Sequence, residues 1–230
     1  MILSSCSKKK QEPSFETGCD LFEECADPID SSLALTFKEK YENLNDTQTS
    51  SGAINRSVSI AEDHPFVRES GNEILKKIQN KETFYLYIGD ELCPWCRSVI
   101  EKAIEIAKLA QIKTIYSIEI WNDQGEEIFR DKYIYENEEL KKIYEGDPSY
   151  FELLAYFDDF LQDYTLLTEE KEIQTGEKRI FAPSFFYIEE GIPKRMCTGI
   201  SPLQNDSREE LSEAILEDES KLFKAFFAVQ

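Results

Sequence analysis

Two cysteines with two residues between them are the clearest candidates for chemistry in this chain. Cys93-Pro94-Trp95-Cys96 follows an apolar run, Phe84–Ile88, that predicts a buried strand. Apolar residues recur at helical spacing over 99–107, so a helix is expected to begin inside the motif. A helix N-terminus stabilises a thiolate through free N–H groups and the helix dipole. The spacing predicts a redox pair in which Cys93 attacks a disulfide and Cys96 resolves the mixed disulfide.

Other readings of the cysteine pair are half of a zinc site, an inert disulfide and two core cysteines. Zinc would need a second pair of ligands. The single histidine, His64, lies in a polar run, and no second C-x-x-C exists. Redox chemistry is therefore favoured. Arg97 adds positive charge near the motif, whereas Asp90 and Glu91 oppose it, so the sequence does not predict the direction of the thiol pKa shift.

A second pattern lies downstream, where Pro183 precedes an apolar strand. Gly191 predicts a turn, residues 192–198 a second strand, and Gly199 its end. With the C-x-x-C, this segment resembles the thioredoxin superfamily, in which a cis-proline before the penultimate strand faces the cysteines. An ordinary trans proline at a strand start is the alternative. The resemblance favours a cis Ala182–Pro183 bond.

The resemblance implies a thioredoxin-like α/β fold, with a central mixed sheet flanked by helices. It implies that substrates are contacted by four residues near the cysteines: Pro94, Trp95, Ala182 and Pro183. It covers residues 68–120 and 180–230. It looks closest to extracytoplasmic thioredoxin-like proteins of Gram-positive bacteria, including bacteriocin-transport accessory proteins. One departure is Tyr87, at the position where many thioredoxins have a buried Asp that accepts the proton of the resolving cysteine.

Composition limits the classes of partner. The chain of 230 residues has 26 basic and 46 acidic residues, a net charge of −20. This disfavours nucleic acid, because phosphate binding needs clustered Lys and Arg. No run of 18 apolar residues predicts a membrane-spanning helix. The cysteine pair is the only predicted reactive centre, so neither a bound cofactor nor a metal is expected.

The N-terminus predicts an anchor. Leu3-Ser4-Ser5-Cys6 resembles a bacterial lipobox, in which the cysteine, here Cys6, is lipidated after signal cleavage. The charged start and long apolar stretch of a signal peptide are missing. Either the sequence starts inside a longer signal peptide, the interpretation we favour, or the match is chance. Residues 1–31 are then a signal remnant and tether, in which Cys19 and Cys25 form a small disulfide loop or remain free thiols.

An N-terminal extension, 32–67, and a thioredoxin-like domain, 68–230, are predicted to follow. The extension has an amphipathic helix over 32–45, a short strand over 58–60 and a connector over 65–67. Ser70 predicts the start of a helix that ends near Gln79. After a strand over 115–120, residues 121–179 read as an insertion that precedes the proline strand.

Within this insertion, residues 138–144 are predicted to be a short helix, and Asp147-Pro148 to start a longer, aromatic one. The aromatic side chains either pack as a core, which is favoured, or line a substrate groove. Residues 174–177 read as a hairpin turn.

After the insertion, Ser207 predicts the start of the last helix, with Leu222 and Phe226 facing inward. Cys197 reads as a small core residue rather than a third redox cysteine.

The leading hypothesis is a thiol–disulfide oxidoreductase that acts on exported proteins or peptides. Its partners would be disulfide-bearing or dithiol clients and a membrane redox protein, with membrane contact only through lipid at Cys6. Its expected location is outside the cytoplasm, on a Gram-positive cell surface. The alternatives are a non-enzymatic thioredoxin-fold binding module for export, with an inert disulfide, and a cytosolic reductase if the lipobox match is chance.

Overall fold

The computed structural model describes residues 35–49, 51–122, 124–168 and 171–228. The predicted lipidation site Cys6, the tether 1–31 and the pair Cys19 and Cys25 lie outside these residues. The described residues from Leu35 onward form one unit. Its elements, in chain order, are α1 (Phe37–Glu42), β1 (Phe66–Arg68), α2 (Gly71–Gln79), β2 (Phe84–Ile88), α3 (Pro94–Leu109), β3 (Ile115–Ile118), β4 (Lys132–Glu136), β5 (Glu139–Tyr144), α4 (Pro148–Phe157), a 3-10 turn (Asp158–Phe160), β6 (Gln162–Leu167), β7 (Glu172–Arg179), β8 (Ser184–Glu189), β9 (Ile192–Cys197) and α5 (Glu213–Phe227).

The centre of this α/β structure is a mixed five-stranded sheet with the strand order β1-β3-β2-β8-β9. Strands β1, β3 and β2 run parallel, whereas β8 pairs antiparallel with β2 and β9 antiparallel with β8. All five residues of β2 are buried. Because parallel strands end at the same edge of a sheet, the loop that carries Cys93 emerges beside the carboxyl end of β3.

Alternate side chains of β2 enter two separate cores, as the two-residue repeat of a strand requires. Tyr85 and Tyr87 pack in one core with the buried face of α3 and with Phe223 of α5. Phe84, Leu86 and Ile88 pack in the other core, against buried residues of α2 and α4. The aromatic residues of α4 therefore contribute to a core, which is the reading that the sequence favours. The sheet is covered on both faces, which explains why β2 is apolar at every position.

The N-terminal segment differs from its prediction. Helix α1 spans only six residues. Residues 58–60 are not a strand, because the backbone N–H groups of Val58 and Ile60 donate to side chains, to Asn45 Oδ1 at 2.9 Å and Glu42 Oε1 at 2.8 Å. The predicted connector at Phe66 is instead the start of β1, which pairs in parallel with β3. Three residues are too few for strand periodicity to be visible in the sequence.

Residues 132–179 contain helix α4 and two hairpins, where the sequence predicts two helices and one hairpin. The predicted helix over 138–144 is wrong, because β5 pairs with β4 across a tight turn. Asn137 and Glu138 occupy this turn at φ 54° and 64°, the geometry of a two-residue hairpin turn. The predicted turn over 174–177 lies inside β7, where Gly176, at φ 82°, accompanies a register shift against β6. The β6–β7 hairpin closes at Thr168 and Lys171.

Several boundaries also differ from the predictions. Strand β3 ends at Ile118, two residues before its predicted end. Helix α5 begins after Ser212, whose hydroxyl accepts the Ile215 N–H, rather than after Ser207. Phe223 takes the buried position predicted for Leu222, while Phe226 is buried as predicted. Among the described helices, none combines the length and hydropathy needed to cross a membrane.

Candidate active site

Cys93 sits where the loop after β2 enters helix α3. It is the N-cap residue, with extended backbone angles of φ −80° and ψ 117°, and its side chain makes no capping hydrogen bond. Pro94 occupies the first turn of α3, where its missing N–H leaves no helical hydrogen bond unmade. The residue is 8 % exposed, and its Sγ lies 3.5 Å from the Ala182 carbonyl oxygen. Cys93 is thus at the helix start as predicted, yet it is almost covered.

Cys96 lies one turn further along α3 and is fully buried. Its Sγ accepts the backbone N–H of Asp90 at 3.4 Å. The Tyr87 hydroxyl also makes a hydrogen bond to this sulfur. Both cysteines are free thiols here. The prediction that Cys93 is the more exposed of the two is confirmed, although the difference is between 8 % and 0 %.

The environments of the two thiols move their pKa values in opposite directions. A hydrogen bond donated by the Cys96 thiol, supported by the backbone N–H groups of Cys96 and Trp95, lowers the pKa of Cys93 to about 7. Burial raises the pKa of Cys96 well above its ordinary value. A helix N-terminus beside a second thiol therefore makes a substantial fraction of Cys93 a thiolate at neutral pH, while Cys96 stays protonated.

This difference predicts the alkylation behaviour of the protein. The rate at which iodoacetamide labels Cys93 should rise with pH through an inflection near pH 7, because only the thiolate reacts. An ordinary cysteine titrates at about 8.5. Cys197, half-buried on β9 with its pKa raised by burial, is the internal control and should react slowly at pH 7. Peptide mapping after timed labelling measures each site. Faster labelling of Cys96, or an inflection for Cys93 above pH 8, would contradict the assignment.

The four residues predicted to contact substrate are near the motif or within it. Pro94 and Trp95 are half-buried in the first turn of α3. Ala182 is half-buried and presents its carbonyl oxygen to Cys93, while Pro183 is buried. The Ala182–Pro183 peptide bond is cis, which confirms that expectation. The structure therefore brings the segment before β8 against the cysteine motif.

The two carboxyl groups before the motif are buried, and Asp90 has a structural role. Asp90 Oδ2 accepts the backbone N–H groups of Ile120 and Trp121 at 3.1 and 3.0 Å, which ties the loop after β2 to the chain after β3. Burial raises the pKa of Asp90. Burial, followed by repulsion from Asp90, raises the pKa of Glu91 to about 8, so at pH 7 its carboxyl group is mostly protonated. The pair therefore carries less negative charge at pH 7 than its sequence indicates.

Arg97 serves a different purpose from the one that the sequence indicates. Its side chain is 1 % exposed, and its guanidinium donates to backbone carbonyl oxygens of Arg56, Tyr41 and Glu91 and to Asn45 Oδ1. It thereby fastens the N-terminal segment to helix α3. The arginine that lowers the pKa of Cys93 by its charge is instead Arg130, and its contribution is smaller than those of the hydrogen bonds.

The sequence does not indicate Arg130 as a site residue. Its Nε donates to Glu127 Oε1 at 2.6 Å, its Nη1 donates to the Ile180 carbonyl oxygen at 3.3 Å, and its guanidinium lies 5.1 Å from the Trp121 ring centroid. Glu127 also pairs with the buried Arg179 at 3.0 Å. These contacts hold Trp121 and residues 127–131 beside the strand that leads to Ala182. Arg130 is distant from the motif in sequence, and no local pattern marks it.

Tyr41 and Tyr87 are a second pair that the sequence does not connect with the cysteines. Tyr87 reads as the departure from the buried Asp of thioredoxins, and Tyr41 as one apolar position of an amphipathic helix. Their hydroxyl oxygens are 2.8 Å apart in the buried core behind Cys96.

The described residues contain no group of three or more His, Cys, Asp and Glu side chains placed to hold a metal ion. In comparisons with known proteins, the chain matches no family model and no curated protein.

Proposed function

We propose that the protein is a thiol–disulfide oxidoreductase in which Cys93 attacks and Cys96 resolves. The observation that carries the proposal is the placement of two free thiols at the start of α3, with Cys93 as the N-cap residue and its Sγ 3.5 Å from the Ala182 carbonyl oxygen. The pKa shifts of the two thiols, down to about 7 for Cys93 and up for the buried Cys96, support it. Neither a core pair without function nor an inert structural disulfide would require this placement or a lowered thiol pKa.

The reaction would proceed in two exchanges. The Cys93 thiolate attacks one sulfur of a client disulfide, the client S–S bond breaks, and the released client sulfur leaves as a thiolate and takes up a proton. Cys96 then attacks Cys93 Sγ, which forms the Cys93–Cys96 disulfide and releases the second client thiol. The client gains two electrons and the protein loses two. The reverse sequence would oxidise a dithiol client.

The surroundings of Cys93 suit a client in an extended conformation. The backbone of Ala182 lies at the sulfur and offers polar groups along which a peptide could align. Nearby apolar side chains are partly exposed, with Leu92 at 36 % and Phe181 at 40 %. We therefore propose that clients bind through backbone hydrogen bonds at Ala182–Pro183 and apolar contacts around Cys93, with Pro94 and Trp95 in the first turn.

We further propose that the fold is thioredoxin-like. The mixed five-stranded sheet, the helices on both of its faces and the proline segment before β8 support this assignment. Residues 121–179 would then be an insertion, and two of its residues, Arg130 and Glu127, support the site. Lipidation at Cys6, a location outside the cytoplasm and a membrane redox partner remain part of the proposal on the strength of the N-terminal sequence.

A catalysed exchange assay tests the proposed function. The purified protein is mixed with glutathione and a peptide that contains one disulfide, and the reduced peptide is quantified over time. The protein should accelerate exchange well beyond the rate with glutathione alone. No acceleration in either direction of exchange would favour the non-enzymatic binding module, whose cysteines form an inert disulfide.

A further inference from the structure

The buried side of Cys96 contains a chain of two tyrosine hydroxyl groups. Tyr87, at the middle of the sheet on β2, is fully buried, and Tyr41 on α1 is 2 % exposed. Their hydroxyl oxygens lie 2.8 Å apart, and the Tyr87 hydroxyl also bonds to Cys96 Sγ. Arg97 holds the end of α1 in place through the Tyr41 carbonyl oxygen at 2.9 Å. A segment outside the sheet thus reaches the resolving cysteine.

The directions of the hydrogen bonds in this chain follow from the state in which Cys96 attacks. Cys96 is then a thiolate, which has no proton to give and can only accept hydrogen bonds. Cys96 must therefore accept the hydrogen bond from Tyr87, whose single hydroxyl proton is then used. Tyr41 in turn must donate to the Tyr87 oxygen, since a hydroxyl group has one proton to give. Both O–H groups consequently point towards the sulfur, and each strengthens the next.

Gly89 leaves the space that this arrangement needs. A Cβ atom at position 89 would lie 2.1 Å from the Tyr87 hydroxyl oxygen. The absence of a side chain there lets the Tyr87 hydroxyl lie against the loop that leads to Cys96. The backbone N–H of Asp90, the next residue, donates to the same sulfur at 3.4 Å. Two donors thus converge on Cys96 Sγ from two different elements.

We propose that Tyr87 is a catalytic residue, which donates its hydroxyl hydrogen bond to the Cys96 thiolate as that thiolate attacks, and that Tyr41 is the residue that positions it. The inference rests on the proposed function. In the resolving step, Cys96 loses its proton, its sulfur bonds to Cys93 Sγ, and the bond between Cys93 and the client sulfur breaks. The client sulfur leaves with the electron pair of that bond and takes up the proton. Tyr87 stabilises the charge on Cys96 and is itself unchanged.

Other titratable and charged groups surround Cys96, and a pH profile must be read against them. They are Cys93 and Arg97 on α3, Tyr87 on β2, Tyr41 on α1, and Asp90 and Glu91 in the intervening loop. Only Tyr87 contributes a side-chain hydroxyl to the sulfur. Removing that hydroxyl while keeping the ring isolates its effect from theirs.

The test uses dithiobis(nitrobenzoate), an aromatic disulfide that releases a coloured thiolate at each exchange. The full chain retains only the active pair, with alanine at the other four cysteines: Cys6, Cys19, Cys25 and Cys197. The first release reports attack by Cys93, and the second reports resolution by Cys96. Both phases are followed by stopped flow across a range of pH, in the unsubstituted pair and in Tyr87→Phe.

Tyr87→Phe should leave the first phase at its original rate and slow the second about threefold at neutral pH. Loss of one donor to a charged sulfur lowers the thiolate fraction about tenfold. The more basic thiolate is roughly threefold more reactive, which offsets part of this loss. The inflection of the second phase should also move to higher pH. Tyr41→Phe, which leaves the Cys96 contact in place, should cause a smaller change in the same direction.

Tyr85→Phe is the matched control, because Tyr85 is a buried tyrosine on the same strand whose hydroxyl interacts with Arg195. A second phase with the same rate and inflection in Tyr87→Phe and in Tyr85→Phe would overturn the inference. If Tyr87→Phe fails to fold, the second phase is measured in Tyr41→Phe instead. An unchanged rate and inflection of that phase in Tyr41→Phe would overturn the inference. If the unsubstituted pair releases a single thiolate, the proposed function and the inference fail together.

Discussion

Replacing Cys93 with serine should abolish catalysed exchange, whereas replacing Cys96 with serine should trap clients as stable mixed disulfides. Cys93 carries the lowered pKa and is the thiol that we propose attacks, so without it no covalent intermediate should form. Without Cys96 the first exchange still proceeds, but nothing inside the protein attacks the mixed disulfide. Non-reducing gels after acid quenching, together with the peptide exchange assay, measure both outcomes.

The remaining cysteines are the controls for this experiment. Cys197→Ser removes the other described thiol, and Cys19→Ser and Cys25→Ser remove two more; all three variants should keep the original turnover. Turnover that survives in Cys93→Ser, or mixed disulfides that accumulate there rather than in Cys96→Ser, would reverse or refute the assigned roles.

The largest effect on stability should come from Arg97→Ala, with a decrease of about 3–5 kcal/mol in the free energy of unfolding. The guanidinium is buried and donates to four acceptors, and three of them are main-chain carbonyl oxygens in separate segments. Removing it takes this donor away from the three carbonyl oxygens in the interior, whereas Asn45 Oδ1 keeps the Val58 N–H. Arg97→Lys should recover little, because an ammonium group lacks the planar fork that serves several acceptors at once.

Urea denaturation followed by circular dichroism measures this loss, and Arg68→Ala provides the comparison. The side chain of Arg68 is 54 % exposed and pairs with Glu119, so its loss should cost less than about 1 kcal/mol. Similar midpoints for the two variants would show that Arg97 does not fasten the N-terminal segment. Amide hydrogen exchange should also show faster exchange near α1 in Arg97→Ala, because Tyr41 loses its anchor.

The central part of the fold could be predicted because its signals are local. Each signal is contained in a short stretch of sequence: the apolar run of β2, the helical spacing after Cys96 and the Gly191 turn. The structure has the predicted strand, helix or turn at each of these positions. The hairpin of β4 and β5 could not be predicted in this way. Its turn places Asn137 and Glu138 at positive φ, and neither residue is glycine. Gly176 gives a strong turn signal but lies inside β7.

In the candidate site, too, the residues marked by a local motif could be predicted and those without one could not. Cys93, Cys96 and Ala182 could be named from motifs and from a resemblance, and the structure brings them together. The groups that set the environment of the sulfurs could not, because they arrive from distant segments. Tyr41 is 46 residues from Tyr87, and Arg130 belongs to a segment with no recognisable motif. A single sequence shows which residue types are present, but not which distant side chains meet.

The most direct test of the central claim is the reduction potential of the Cys93–Cys96 pair, measured by equilibration in glutathione and dithiothreitol buffers with mass detection after alkylation. A working oxidoreductase should give a reversible two-electron transition between about −270 and −120 mV. The same transition should be lost in either serine variant. A pair that never forms a disulfide, or one that stays oxidised below about −300 mV as structural disulfides do, would contradict the proposed function.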